Sequence, residues 1–204
     1  MIDNLEQIKQ LLNFENEGDF YMLYVFKRKK DQPEGERDNH QSVRTIKTYC
    51  VDSIEYLDKR YDEIKQLCEM FKARAYIHVQ KQNHKDVSLE MMMSLAERIR
   101  NGQHIQKGLF DSVVGQIKTH EKRWIVDVDT KDDNFRLNVM RVINRCRPKG
   151  NKIYATIPTK NGYHLITDRF DVLEFKKHFP EIEIQKKNPT VLYIPDERNT
   201  EQIL

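Results

Sequence analysis

The sequence predicts a mixed α/β protein with two structural units, and three observations support this fold class. Stretches with apolar residues at helical spacing alternate with short runs of Val, Ile and aromatic residues. The second half of the chain shows the order strand, helix, strand, strand, helix, strand. Only seven Gly and six Pro occur among the 204 residues, so long flexible linkers are not expected.

The first half predicts an N-terminal α/β unit, which we place at residues 1–120. Apolar periodicity indicates helices at 2–14, 53–72, 87–102 and 105–118. Alternating and β-branched runs indicate strands at 20–26, 42–51 and 73–80. Residues 27–41 are polar and contain Pro33 and Gly35, which indicates an exposed, hairpin-like loop between the first two strands.

The second half predicts a βαββαβ unit, which we place at residues 121–204. Strands are expected at 122–129, 151–158, 163–167 and 181–185, the last continuing after a break at 190–195. Helices are expected at 133–146 and 172–179. This is the order of the split βαβ or RRM-like unit. Its strands lie in the order 4-1-3-2, and both helices cover one face. We expect the two units to form one two-lobed domain.

The composition predicts a soluble, cytoplasmic protein. Hydrophobic residues make up 38% of the chain and charged residues 33%, and no run approaches the about eighteen apolar residues of a membrane helix. The N-terminal stretch lacks the basic region of a signal peptide, and we expect no membrane association. The three cysteines are far apart and show no metal-binding spacing, which predicts reduced thiols.

The first strand of the second unit, KRWIVDVD, ends on two carboxylates that share one face. Residues two apart in a strand point the same way, so Asp127 and Asp129 should lie about 6–7 Å apart. Like charges at this distance repel each other, and a divalent cation is their commonest partner. Capping of the following turn by the two aspartates is the alternative interpretation.

The same alternation places a His and a Glu on the face that carries the two aspartates. His164 lies on the third strand, and Glu183 lies on the fourth, where Glu181 has the same facing. In the expected strand order both strands neighbour the first. We therefore predict that these side chains converge on an open face, where the carboxylate oxygens suit Mg²⁺ or Mn²⁺. For His164 taken alone, a satisfied core histidine is the alternative.

Three short motifs in this unit resemble those of the archaeo-eukaryotic primase superfamily, which includes primase-polymerases and the polymerase domain of bacterial end-joining ligases. The hydrophobic-Asp-hydrophobic-Asp motif matches VDVD at 126–129, the small-x-His motif matches GYH at 162–164, and the hydrophobic-acid motif matches IE at 182–183. The stretch 182–195 is also similar to the third-motif region of the end-joining polymerases. The resemblance covers about residues 122–195. Gly162 stands where Ser is usual, and Glu183 reaches further than the Asp that can occupy its position.

The resemblance implies a metal-dependent nucleotidyltransferase, a small primase-polymerase that joins nucleotides on a nucleic-acid template. Asp127, Asp129 and Glu183 would be catalytic and would bind Mg²⁺ or Mn²⁺, and His164 would hold the phosphates of the incoming nucleotide. The implied partners are nucleoside triphosphates and single-stranded or primed DNA. We also expect a separate helicase or accessory subunit to assist any priming.

The turn PTKNG, which precedes His164, is a further candidate part of the nucleotide site. Lys160 would bring a cation close to the phosphates, and Gly162 would remove a side chain where a triphosphate approaches. A solvated turn lysine is the alternative for Lys160.

Three groups of basic residues are candidates for nucleic-acid binding. The first is KRKK at 27–30, the second includes Arg145, Arg147 and Lys149, and the third includes Lys186 and Lys187. The second and third flank the carboxylates in sequence, and tyrosines are interleaved with them, which would suit a groove that tracks a nucleic-acid backbone. Solvated surface is the alternative interpretation.

Two further functions stay open at this point. A metal-dependent nuclease would use the aspartates and Glu183 with Lys186, although the spacing has one residue too many for an Asp…Glu-x-Lys site. The pair Gln185 and Lys187 restores that spacing with a weaker ligand. The other alternative is a catalytically degenerate primase fold that acts as a nucleotide- or protein-binding module.

Overall fold

A computed structural model of the chain describes residues 1–28, 43–103, 108–117, 119 and 121–196. Six helices occur in these ranges: Leu5–Leu11 (α1), Ile54–Phe71 (α2), His84–Arg100 (α3), Leu109–Gln116 (α4), Asp133–Arg145 (α5) and Val172–Lys176 (α6). The strands are Ile2–Asp3 (β1), Asp19–Arg28 (β2), Val43–Val51 (β3), Arg74–His78 (β4), Gln82–Asn83 (β5), Trp124–Val128 (β6), Ile153–Pro158 (β7), Tyr163–Thr167 (β8), Glu183–Gln185 (β9) and Pro189–Ile194 (β10). The fold is a mixed α/β arrangement, as predicted, and its strands form two antiparallel sheets.

The first sheet has the strand order β1-β10-β4-β2-β3, and β5 pairs with β2. Alternate residues of β2 point to opposite faces, as the pleat of a strand requires. Tyr21 and Leu23 pack in one hydrophobic cluster with residues of α2. Phe20 and Met22 pack in another cluster with residues of α3 and α4. Helices therefore cover both faces of this sheet.

The second sheet has the strand order β7-β8-β6-β9, which is the 4-1-3-2 order expected for the βαββαβ segment. Val126 and Val128 of β6 pack against Val139 and Ile143 of α5 and Phe175 of α6. These side chains form one cluster, so both helices lie on the same face of the sheet. The predicted positions of the strands and helices in this segment are confirmed to within a few residues.

The opposite face of the second sheet is not open, which corrects one expectation. Ile125, Ile157 and Ile166 project from it and belong to the hydrophobic cluster of the first sheet, together with Ile8 of α1 and Leu192 of β10. The two sheets therefore bury apolar surface against each other. The residues predicted to line an open surface lie instead at the margin of this interface.

The last strand corrects a second expectation. Residues 190–195 were predicted to continue the fourth strand of the second unit, but β10 pairs with β4 and β1 of the first sheet. The chain thus leaves the second sheet after β9 and returns to the first. The predicted division between residues 1–120 and 121–204 is therefore not a division between the sheets.

Other elements of the first half match their predicted order. The first helix is shorter than the predicted 2–14 because β1 takes its first residues and Leu12 has an extended backbone. Most of the loop predicted at 27–41 lies outside the described residues, although the pairing of Arg28 with Val43 confirms the hairpin that it closes. None of the helices in the described parts of the chain has the length and apolar character needed to cross a bilayer.

Asn4 is a polar link between the two sheets, and its removal should weaken the whole fold. Its buried side chain donates to the carbonyl of Pro158 in β7 at 2.9 Å and to that of Val191 in β10 at 3.0 Å. We predict that Asn4→Ala lowers the free energy of unfolding by about 1–3 kcal/mol, because two carbonyls lose their donor. Urea denaturation measures this change.

The matched control is Asn138→Ala, on the exposed side of α5. It should change the free energy of unfolding by less than about 0.5 kcal/mol. Equal stabilities for the Asn4 variant and the wild type would contradict the proposed link.

Candidate active site

Three of the predicted site residues lie in one row across neighbouring strands. Asp127 in β6 is directly opposite His164 in β8 on one side and Glu183 in β9 on the other. Ile157 of β7 continues this row beside His164. We call His164, Asp127 and Glu183 the Asp127 row. Asp129 follows the end of β6 and is exposed. Glu183 is paired with Asp127 in the strand register, whereas Glu181 lies before β9.

His164 has a polar neighbour on each side of its ring. Its Nδ1 lies 2.9 Å from the hydroxyl of Thr190, a fully buried residue of β10. Its Nε2 lies 3.6 Å from Oδ1 of Asp127. Burial lowers the pKa of His164 to about 4, so the ring is neutral at physiological pH. A neutral ring protonated at Nε2 satisfies both contacts, since Nδ1 then accepts from Thr190 and Nε2–H faces the carboxylate.

Asp127 is a partly buried carboxylate in a negative environment. Only 20% of its side chain is exposed, and burial, followed by the charges of Asp129 and Glu183, raises its pKa to about 6. The positive charge of Arg28, at the end of β2, acts in the opposite direction. The amide of Gln185 donates to Oδ2 of Asp127 at 3.5 Å, which is a long and weak contact.

The turn after β6 has its own caps, which argues against the simplest alternative for the aspartates. The hydroxyl of Thr130 accepts from the amide of Asp132, and the carboxylate of Asp132 accepts from the amides of Asn134 and Phe135 at the start of α5. Asp132 therefore performs the capping role that Asp127 and Asp129 could have had. For His164 the buried-histidine alternative holds in part, because its Thr190 contact is internal.

Gly162 has a packing role that the sequence analysis did not predict. A Cβ at this position would lie 1.9 Å from the carbonyl oxygen of Val128 and 2.6 Å from the amide nitrogen of Thr130. The missing side chain thus lets the β7–β8 turn approach the backbone at the end of β6. The turn is closed by hydrogen bonds between Gly162 and Thr159. Lys160 is exposed on this turn.

The predicted nucleic-acid residues do not surround the Asp127 row. Arg145, Arg147 and Lys149 lie near the end of α5 and before β7, toward the end of the sheet where Trp124 pairs with Thr167. The guanidinium of Arg147 contacts Asp171 at 3.1 Å and Glu174 at 3.8 Å, both beside α6. Arg145 and Lys149 are exposed.

The two predicted lysines after β9 have partners away from the row. The ammonium of Lys186 lies 5.0 Å from the centre of the Trp124 ring, and that of Lys187 donates to the carbonyl of Gly115 at 3.0 Å. Neither lysine therefore faces Asp127.

The donor chemistry of the Asp127 row fits a hard divalent cation. The two carboxylates of the row and that of Asp129 are oxygen ligands. The raised pKa of Asp127 reflects its burial and then a repulsion by Asp129 and Glu183, which a cation would relieve. In the described parts of the chain, however, no three or more His, Cys, Asp or Glu side chains are grouped closely enough to hold one ion. The side-chain positions seen here thus provide the ligand types but not a closed coordination shell.

Sequence reasoning missed two residues that shape this site. Arg28 acts on both Asp127 and His164 through its charge, and Thr190 holds the His164 ring. Both belong to the first sheet. Thr190 lies in the stretch 182–195 that resembles the third-motif region, which was the available signal for it.

Comparison of the chain with protein-family models, with curated proteins and with solved structures found no significant match.

The close approach at Gly162 makes a sharp prediction. Gly162→Ala should lower the free energy of unfolding by about 3 kcal/mol, because its Cβ would overlap the backbone of residues 128–130. The matched control is Gly115→Ala in α4, where a Cβ would have nothing within 4 Å. The control should be neutral or more stable by up to about 1 kcal/mol. Urea denaturation compares the two, and equal midpoints would contradict the predicted overlap.

The raised pKa of Asp127 predicts that ionisation of this carboxyl destabilises the folded protein, and that the effect depends on pH. Its pKa is about 6 in the folded protein and about 3.9 in an unfolded chain, so the folded state binds the proton more tightly. The stability that protonation contributes is present below pH ~4 and is lost as the pH rises through ~6. Asp127→Asn should therefore exceed the wild type in stability by on the order of 2 kcal/mol at pH 7.

The measurement is urea denaturation of both proteins between pH 4 and 8 without divalent cations. The difference should grow from pH ~4 to ~6 and then stay constant. A difference that is independent of pH would show that the Asp127 carboxyl titrates normally.

Proposed function

We propose that the protein is a metal-dependent nucleotidyltransferase, a small primase-polymerase that joins nucleotides on a nucleic-acid template. The Asp127 row carries the proposal, together with Asp129 at the end of the same strand. The motifs that resemble the primase superfamily supply each of these residues, and the strand register aligns three of them directly. Short motifs that matched by chance would not need to place their residues opposite one another on neighbouring strands.

We also propose that the second sheet with α5 and α6 is an RRM-like unit in a primase-like, two-lobed fold. The strand order β7-β8-β6-β9 supports this assignment, as does the packing of both helices on one face. The hydrophobic cluster shared by both sheets supports a single domain with two lobes.

In this function Asp127 and Asp129 would hold Mg²⁺ or Mn²⁺, with Glu183 completing the ligand set. The bound cations would neutralise charge on the transferring phosphoryl group and activate the attacking oxygen. The contribution of Asp127 depends on its partial burial, which strengthens its interaction with a cation.

His164 would act as a neutral hydrogen-bond donor to a nucleotide phosphate. Its Nε2 lies 3.6 Å from Asp127, beyond ordinary hydrogen-bond distance, so its proton is not committed to the carboxylate. The Thr190 contact at 2.9 Å orients the ring. Lys160, exposed on the β7–β8 turn, would add a positive charge near the same phosphates.

A nucleotide- or protein-binding module is the second candidate. The observation that favours it is the lack, among the described residues, of three ligands positioned around one ion. The nuclease alternative has less support, because Lys186 and Lys187 contact Trp124 and Gly115 rather than the carboxylates.

Primer extension and de novo priming on single-stranded DNA test the proposed activity, with Mn²⁺ or Mg²⁺ and labelled NTPs or dNTPs. The wild type should form product. Whether it incorporates NTPs or dNTPs should show its sugar preference. Asp127→Asn/Asp129→Asn should lower the rate at least about a hundredfold, because the ligands that position the cations lose their charge. Removal of the metal with EDTA should abolish product formation.

Glu183→Gln and Glu181→Gln form the matched pair for the third acid. Only Glu183 is in register with Asp127, so its substitution should impair extension and that of Glu181 should not. Degraded template without product would favour a nuclease. Intact template and no product, with thermal stabilisation by nucleotide and Mn²⁺, would favour the binding module.

A further inference from the structure

A basic cavity lies beside Trp124, toward the opposite end of β6 from Asp129. Its volume is about 240 Å³. Three separate segments contribute its cations: the approach to β6, the loop after β8, and the connection from β9 to β10. These cations are Lys122, Arg169, Lys186 and Lys187.

Neutral partners hold two of these cations in place. The ammonium of Lys186 lies over the indole ring of Trp124, and the ring of Phe170 packs edge-on against the same indole at 5.6 Å. Lys187 donates to the carbonyl of Gly115 near the end of α4, where helix carbonyls lack intrahelical partners. Their positive charges therefore stay uncompensated.

Gln80, just after β4, forms part of the cavity wall and connects its segments. Its amide nitrogen donates to the carbonyl of Arg123 at 3.2 Å and to that of Lys186. Its carbonyl oxygen accepts from the hydroxyl of Thr119 at 3.3 Å. The cavity is thus supported by hydrogen bonds between the two halves of the chain.

The cavity cations differ from Lys81 and Arg123, which neighbour cavity residues along the chain. Lys81 elsewhere contacts Asp19 at 3.3 Å, and Arg123 contacts Glu121 at 3.3 Å. Across the described ranges, by contrast, none of the four cavity cations forms an ion pair with a carboxylate. Uncompensated charges around a concave surface attract an anion.

The size of the cavity indicates the kind of anion. A volume of about 240 Å³ corresponds to roughly eight water molecules, which exceeds the space that one phosphate group needs. Four cations likewise exceed the charge of one phosphate monoester. Both properties suit consecutive phosphates of an extended polyanion.

We infer that the basic cavity binds consecutive backbone phosphates of a single-stranded nucleic acid. The inference rests on the proposed function for the choice of such a strand as the polyanion. Lys186 is three positions after Glu183, a distance of about 10 Å in an extended strand. A strand held in the cavity would therefore lie about 10 Å along the sheet from the Asp127 row.

Trp124 provides a direct probe, because it is the only tryptophan of the chain. Titration with an oligothymidylate of about ten nucleotides in EDTA should change its fluorescence in a saturable way. We expect binding to weaken about threefold to tenfold in each of three variants, because each removes a phosphate contact. These variants are Lys122→Gln, Arg169→Gln and Lys186→Gln. Anisotropy of a labelled oligothymidylate measures the variants independently of the indole.

Lys59→Gln is the matched control, since this exposed lysine lies on α2. It should leave the affinity unchanged. The slope of log K against log salt should fall by about 0.7 for each cavity cation removed, and by nothing for the control. A variant that combines the substitutions at Lys122, Arg169 and Lys186 would overturn the inference if it bound the oligonucleotide like the wild type.

The two proposals can fail separately in this design. Asp127→Asn/Asp129→Asn should bind the oligonucleotide like the wild type in EDTA, because these residues lie outside the cavity. Binding by the wild type without primer extension would reject the catalytic proposal alone. ATP or inorganic phosphate binding as tightly as the oligonucleotide would reject the nucleic-acid assignment of the cavity.

Discussion

The burial of Ile125, Ile157 and Ile166 between the two sheets is the contact on which the candidate site depends. Side chains of a strand alternate between faces, so the face that carries these isoleucines also carries Asp127 and His164. Packing the isoleucines against the first sheet therefore moves the polar pair to the margin of a dry interface. Removal of water raises the pKa of Asp127 and lowers that of His164. The hydrophobic contact thus produces the electrostatic character of the site, and it also explains why His164 is neutral beside three acids.

A single segment, residues 183–190, connects the site, the cavity and the first sheet. Glu183 lies in register with Asp127, Lys186 lies over Trp124, and Thr190 contacts His164 from β10. These contacts fix the path of the chain as it crosses between the sheets. The segment therefore couples the position of the His164 ring to the docking of β10. A shift of β10 would move the Thr190 hydroxyl away from the His164 ring. The orientation of this ring therefore depends on a strand of the first sheet.

The sequence was sufficient to predict the part of the site that depends on the alternation of side chains along each strand. The facing of Asp127, His164 and Glu183 followed from a period of two and a known strand order, and the register confirms both. The covered face was predicted wrongly, although WIVDV contains a signal for it. A strand with apolar residues on both faces is buried on both. Arg28 and Thr190 lie in stretches that the sequence singled out, 27–30 and 182–195, but nothing placed them beside the row, since each reaches it through pairings of the first sheet. Gly162 was singled out correctly, but close backbone packing explains it better than access for a phosphate.

The separation of opposite charges along β6 and β9 gives the two proposed sites their distinct properties. Cations placed beside the Asp127 row would pair with its carboxylates, and neither set would then be available to a ligand. A separation of about 10 Å is comparable to the screening length of about 8 Å at physiological ionic strength. The carboxylates therefore keep the mutual repulsion that favours a metal ion, and the lysines keep the charge that favours phosphate. Arg28 is the exception, because its charge partly offsets the repulsion at Asp127. The pKa of that carboxyl, about 6, lies below physiological pH, so the carboxylate is ionised where a metal would need it.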